Sequence, residues 1–170
     1  MNNLIDILDE KGHMIGQKKR EDIDRYHDIL PAVHVIVITP KKEIVLVGIA
    51  QHPDQKRTWI GKLGNSAATF IRHGETDEEA ALRALKNDLN ISGVDLEILG
   101  KKLYTLSEGI RRMVTTFMCE FAGPFTFNPN EVLDLHMFNK EELMKEMSNQ
   151  QNFAPTFLAM WEDYQNKLPF

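Results

Sequence analysis

The side chains best suited to chemistry are cations and acids gathered in a few short stretches. Lys56, Arg57 and Lys62 flank Trp59 in the polar loop 51–64. They could hold phosphates, although a charged loop is more often simply solvated. Glu131 stands just before an apolar run and suits a general base if it points into a cleft. Asp88 lies near the end of the strongest helical pattern, either as a ligand or as an ordinary polar residue. His73 is next but one to Glu75, and Glu108, Arg111 and Arg112 share a segment that could line a pocket.

These residues need a scaffold, and the hydrophobic patterning supplies one. Residues 3–8 and 13–17 flank Asp9-Glu10-Lys11-Gly12, a turn sequence, so a hairpin is predicted there. Residues 19–26 read as a short polar helix or turn. Residues 33–39 and 44–49 are β-branched runs separated by Pro40-Lys41-Lys42-Glu43 and read as buried strands. Further strands are predicted at 65–71, 96–106, 113–121 and 132–138, with helices at 139–147 and 153–166.

The strongest helix covers 76–90. Thr76 with Glu79 forms a capping box, and Asp77, Glu78 and Glu79 favour the positive end of the helix dipole. Leu82, Leu85 and Leu89 predict an apolar stripe against a sheet. Asn90 can take the left-handed conformation that ends a helix. Strands mixed with helices in this order give an α/β fold, a mixed sheet with helices on both faces.

Composition narrows the function classes. The 170 residues fit one domain, 1–170, and 42% are hydrophobic, enough for a core. A net charge of −5 argues against non-specific nucleic-acid binding. No apolar run is long enough to span a bilayer, and the acidic start is unlike a signal peptide. Cys119 is the single cysteine and sits in an apolar run, so it reads as a small buried hydrophobe. The expectation is a cytoplasmic protein with no membrane or nucleic-acid partner; a homodimer is compatible with the sequence.

The helix and the loop before it resemble the Nudix box, G-x5-E-x7-R-E-U-x-E-E-x-G-U with U aliphatic. Gly74-Glu75, Arg83, Leu85 and Ile91 match it in place. Thr69 stands for the first Gly, and Asn90 for the later one. Ala84, Asn87 and Asp88 stand for the three helix glutamates. The resemblance implies a Nudix-type α/β/α sandwich with a mixed β-sheet and an N-terminal β-hairpin. It implies Mg²⁺ held by helix carboxylates, which polarises a diphosphate and helps activate water. Positions 84, 87 and 88 fall on one helix face, so a single carboxylate there predicts Mg²⁺ binding that is weak or absent. Glu75, Glu79 and Asp88 are the metal candidates, and Glu75, Asp88 and Glu131 the catalytic ones. In this motif Glu75 and Arg83 more often bridge loop and helix than serve substrate.

Nearly the whole chain also resembles the Nudix subgroup akin to isopentenyl diphosphate isomerase. Asn65-Ser66 match its segment before the helix, and His27 and His34 match two of its histidine metal ligands. Ala68 and Phe70 replace its cysteine and third histidine, and Val114 and Thr116 replace its two glutamates. Two histidines without a third ligand are more often structural. The resemblance implies a hydrolase of a diphosphate-linked small molecule, a nucleoside diphosphate derivative, with weak activity. The alternative is a domain that binds a nucleotide-like ligand or a protein partner without turnover. An isomerase is the weakest reading, for want of the nucleophile.

Overall fold

A computed structural model describes residues 3–170, apart from the side chain of Glu108. The hairpin predicted at the start is present: β1 (Leu4–Leu8) pairs antiparallel with β2 (Met14–Lys19). Asp9 closes its turn, Oδ1 accepting from the N–H groups of Lys11 and His13 at 2.9 Å each. The hairpin stands as its own two-stranded sheet and is fastened to the body by bridges from Ile5 to Arg72 and Leu8 to Ile29. Only a turn of 3₁₀ helix, Arg20–Asp22, forms in the polar stretch that follows.

The main sheet has seven strands. They are β3 (Leu30–Ile38), β4 (Ile44–Ile49), β5 (Leu63–Gly64), β6 (Ala67–Phe70), β7 (Glu97–Thr105), β8 (Arg111–Glu120) and β9 (Val132–Phe138). The order is β5-β4-β3-β8-β7, with β6 on β3 and β9 on β4. β3 and β8 run parallel and the other pairs antiparallel, so the sheet is mixed as expected. β3 leaves β4 after two paired residues and takes β6 as its neighbour instead. Ser66 fills that fork: its hydroxyl accepts from the Val37 N–H at 2.8 Å and donates to the Val45 carbonyl. A strand divergence that would orphan two buried backbone groups is thereby satisfied.

Alternation along β3 builds the two cores. Val33, Val35 and Val37 face α1 (Asp77–Leu89), while Ile36 and Ile38 face α3 (Pro155–Tyr164). Helices thus cover both faces, with the shorter α2 (Lys140–Glu146) between β9 and α3 in the chain. The capping box at Thr76 and Glu79 forms, and Asn90 ends α1 at φ 54. The buried stripe differs from the predicted leucine row. Leu85 and Leu89 are buried together with Ala80, Ala81 and Ala84, whereas Leu82 is only partly buried. The small alanines let the helix approach the sheet, and each buried leucine contributes about 1.5–3 kcal/mol. On the other face Phe153, Phe157 and Trp161 stack in series, and the Tyr164 ring lies over Gly100, where a Cβ would sit 2.5 Å from Oη. Among the described residues no helix is long and apolar enough to cross a membrane.

Candidate functional site

α1 ends at a buried carboxylate that feels the charge of a second one. Asp88 is on its last turn, 8% exposed, its Oδ1 accepting from the Asn87 amide at 3.0 Å and its Oδ2 from the Ala68 N–H at 3.4 Å. Its backbone carbonyl accepts from the Asn128 N–H at 2.9 Å, and the Asn128 carbonyl accepts from Glu131 and Val132 at 2.9 Å. This chain of backbone bonds pins the turn before β9 to the end of the helix and brings Glu131 into the electrostatic reach of Asp88. Burial, and then the Glu131 charge, push the Asp88 carboxyl up to about 7, against the Asn87 and Ala68 hydrogen bonds. A carboxyl poised near neutral pH beside a second carboxylate can accept or release a proton under ordinary conditions.

Glu131 has cationic company of its own. Arg57 Nη2 donates to Oε2, and His52 Nε2 lies 3.5 Å from Oε1. Gln55 Oε1 accepts from both Arg57, at 3.3 Å, and Arg20, at 3.0 Å, joining the loop after β4 to the segment after the hairpin. Among the three loop cations named from sequence, Arg57 alone reaches the carboxylates. Lys56 has an exposed side chain, and Lys62 Nζ donates to the Gln151 carbonyl at 2.8 Å, tying its loop to the C-terminal segment. His52 was not legible: a histidine next to a proline in a polar loop carries no pattern, and its partner comes from a distant part of the chain.

The other acids of the box have structural partners. Glu75 accepts from Arg83 Nε at 2.7 Å, Arg83 Nη2 at 2.9 Å and the Arg72 N–H at 2.9 Å. Burial alone would raise its carboxyl, but the Arg83 hydrogen bonds and charge hold it below its ordinary value. Arg83 also donates to the Phe70 carbonyl at 2.9 Å, so the pair latches the loop onto the helix. Glu79 is exposed and accepts from the Thr76 N–H at 2.8 Å as half of the capping box. Neither stands with Asp88 in the contacts they make.

Positions 84, 87 and 88 depart from a single open acid face. Ala84 is wholly enclosed in the core beneath α1, Asn87 is exposed, and Asp88 is buried beside Ala68. The two histidines are also set apart by their surroundings. His27 is exposed, its Nδ1 2.7 Å from Asp24, while His34 is buried within β3, kept neutral with its value down at about 3 by burial and by the Arg112 charge. His73 pairs with Asp6 at 2.8 Å and fastens the hairpin to the loop. Among the described residues no three His, Cys, Asp or Glu side chains converge as a metal-binding group. The donors that could hold one hard cation are the carboxylates of Asp88 and Glu131. Both are oxygen ligands, and a cation would relieve the charge that raises Asp88.

A NUDIX domain model matches residues 28–158. An uncharacterised Nudix hydrolase of Yersinia pestis is 27% identical over 139 residues, 82% of this chain and 74% of its own. A Deinococcus radiodurans protein, DR0079, superposes with a TM-score of 0.77 at 17% identity, covering 98% of this chain and 99% of that one. A bifunctional NMN adenylyltransferase/ADP ribose pyrophosphatase of Francisella tularensis, solved with AMP and a Mn ion, superposes with a TM-score of 0.59 at 14% identity. That match covers 82% of this chain and 42% of that one.

Proposed function

The chain belongs to the Nudix family, and on that premise we propose that it hydrolyses a diphosphate-linked small molecule, a nucleoside diphosphate derivative, at the Asp88–Glu131 pair. The observation that carries this reading is the buried Asp88 carboxyl, raised to about 7 beside Glu131 at the end of the box helix. Each of the hydrogen bonds it accepts, from Ala68 and Asn87, would be met equally by a neutral amide or carboxyl oxygen, whereas a proton acceptor for an attacking water needs an acid.

Nudix hydrolases use a divalent metal. Here Asp88 and Glu131 would hold it, and Mg²⁺ would be bound weakly because the helix supplies one carboxylate. When bound, the ion polarises the diphosphate. The chain's own residues do the rest. Asp88, ionised once a cation offsets its burial and the Glu131 charge, takes a proton from the attacking water. Arg57 holds Glu131 in place and offers its remaining N–H groups to phosphate oxygens. His52, against the other Glu131 oxygen, restrains the carboxylate from swinging away.

The test is release of phosphate or nucleoside monophosphate from a panel of nucleoside diphosphate derivatives with Mg²⁺ or Mn²⁺, using wild type, Asp88→Asn and Glu131→Gln. A positioned acid–base group contributes about 100- to 10,000-fold, so Asp88→Asn should lose at least about 100-fold, and Glu131→Gln, which removes a cation-holding carboxylate, should also lose rate and need more metal. Hydrolysis by either variant at the wild-type rate overturns the assignment. A panel compound that binds with no turnover by wild type favours the ligand-binding alternative.

A further inference from the structure

Away from the carboxylate pair, two arginines lie over one aromatic ring, and the charge of a third acts on one of them. Arg112, the second residue of β8, places its guanidinium carbon 4.7 Å from the Phe70 centroid, and Arg20 places its own 5.1 Å from the same centroid. The two carbons therefore lie no further apart than the sum of those distances. Arg25 is near enough for its charge to act on Arg112, as does that of Arg20. Burial, and then these two like charges, bring the Arg112 guanidinium down to about 10.

Among the described residues, no carboxylate forms an ion pair with Arg20, Arg25 or Arg112. Arg20 donates to Gln55 and Arg25 to the Lys56 carbonyl, both neutral. Glu131 acts on Arg20 at longer range but is already paired with Arg57. Arg112 Nε is buried with no hydrogen-bond partner, and Thr116 Oγ1, on the same strand and the same sheet face, is also buried and unpartnered. His34 faces Thr116 across the β3–β8 pairing and adds no negative charge. An unpaired cation that is partly withdrawn from water beside two like charges is costly unless an anion completes it. The site is also reachable, since Arg20 is exposed and Arg25, Phe70 and Arg112 are only partly buried.

We propose that Arg112 and Arg20 at the Phe70 ring, with Arg25 near Arg112, form a phosphate-type anion site beside the Asp88–Glu131 pair, and that it takes an anionic group of the substrate. A guanidinium fork matches a phosphate, and the Phe70 ring supports the two planar cations. The field of Arg20 links this site to the Glu131 side of the cleft, which suits a substrate whose phosphates run from one to the other. The anion site stands on its own; its assignment to the substrate rests on the hydrolase reading.

The experiment is calorimetric titration of the full chain with inorganic pyrophosphate in a chelating buffer, so that binding needs neither metal nor turnover. Wild type should bind, and more weakly as salt is raised. Arg112→Gln should weaken binding at least tenfold, and Arg112→Lys less. Because Arg112 Nε is buried, Arg20→Gln and Arg25→Gln carry the same expectation if Arg112→Gln fails to fold. No binding by wild type, or wild-type affinity in Arg20→Gln and Arg25→Gln together, overturns the proposal. In the hydrolysis assay pyrophosphate should compete with substrate; mixed or uncompetitive inhibition would mark a free anion as the occupant and overturn the substrate assignment. If pyrophosphate binds through these arginines and no diphosphate is cleaved, the anion site holds and the hydrolase reading falls.

Discussion

Replacing Asp88 with Asn tests the central observation without any assay of activity. An acid raised on folding destabilises the native state once the unfolded chain can ionise. The penalty begins near 3.8, grows as pH rises, and is complete above about 7. At about 1.4 kcal/mol per tenfold, that displacement amounts to about 4 kcal/mol in the alkaline limit. Asn removes the ionisation but turns one acceptor oxygen into a donor, losing the bond from Asn87 or from Ala68, at about 1 kcal/mol. Asp88→Asn should therefore be slightly less stable than wild type at pH 4 and more stable by about 3 kcal/mol at pH 8. For a domain of this size that corresponds to a melting temperature raised by about 6–12 °C. The measurement is thermal melting of both proteins in chelating buffer from pH 4 to 8.5. A melting difference that stays constant across that range refutes the reasoning, because it would mean Asp88 titrates alike in folded and unfolded chains. Added Mg²⁺ at pH 8 should recover part of the deficit in wild type and none in the variant.

Four further outcomes follow from the same geometry. Ala84→Glu alone should cost about 3–5 kcal/mol in metal-free buffer, because it puts a charge into the enclosed core under α1; denaturant titration measures it, and a neutral result would mean the side chain escapes to solvent. Combined with Asn87→Glu and Asp88→Glu it should give no Mg²⁺-dependent melting rise larger than that of wild type, because Ala84 faces the core and Asn87 the solvent, and a much larger rise would mean the three positions do converge on one metal. Glu75→Gln should lower stability by about 1–3 kcal/mol in urea, since Arg83 loses its charged partner in a partly buried latch. Incubation with isopentenyl diphosphate in heavy water should give no deuterium uptake, because Ala68 and Thr116 offer neither thiolate nor carboxylate; exchange above a no-protein control would refute this.

Much of the scaffold was legible because its signals are local. The strands Ile44–Ile49 and Val132–Phe138 fall where the β-branched and apolar runs put them, and α1 is bounded by a cap and a left-handed Asn that can be read directly. The loop latch was legible too, because Glu75 and Arg83 are close in sequence. What pairs with what across the sheet was not. Nothing local says that β3 abandons β4 for β6 or that β8 lies beside β3 in parallel. For that reason Glu131 could be named as a base, but its partners His52 and Arg57 could not be assigned to it. The arginines over Phe70 come from two distant stretches and carry no spacing signal at all. The even helix face expected at 84, 87 and 88 failed on depth. Residues three and four apart share a side of a helix, yet one can face the sheet and another the solvent.

The parallel pairing of β3 and β8 also bears on how the chain reaches this structure. Leu30 to Ile38 are matched with Arg112 to Glu120, partners about half the chain apart, and β3 is the hub on which β4, β6 and β8 all depend. Such a pairing closes a long loop before it gains any contacts, so the sheet should assemble slowly and late relative to the hairpin and α1. Until it does, the buried face of β3 stays open to other chains. Yield on refolding should thus fall with protein concentration well before stability does, and substitutions at the β3–β8 seam should slow folding more than they hasten unfolding.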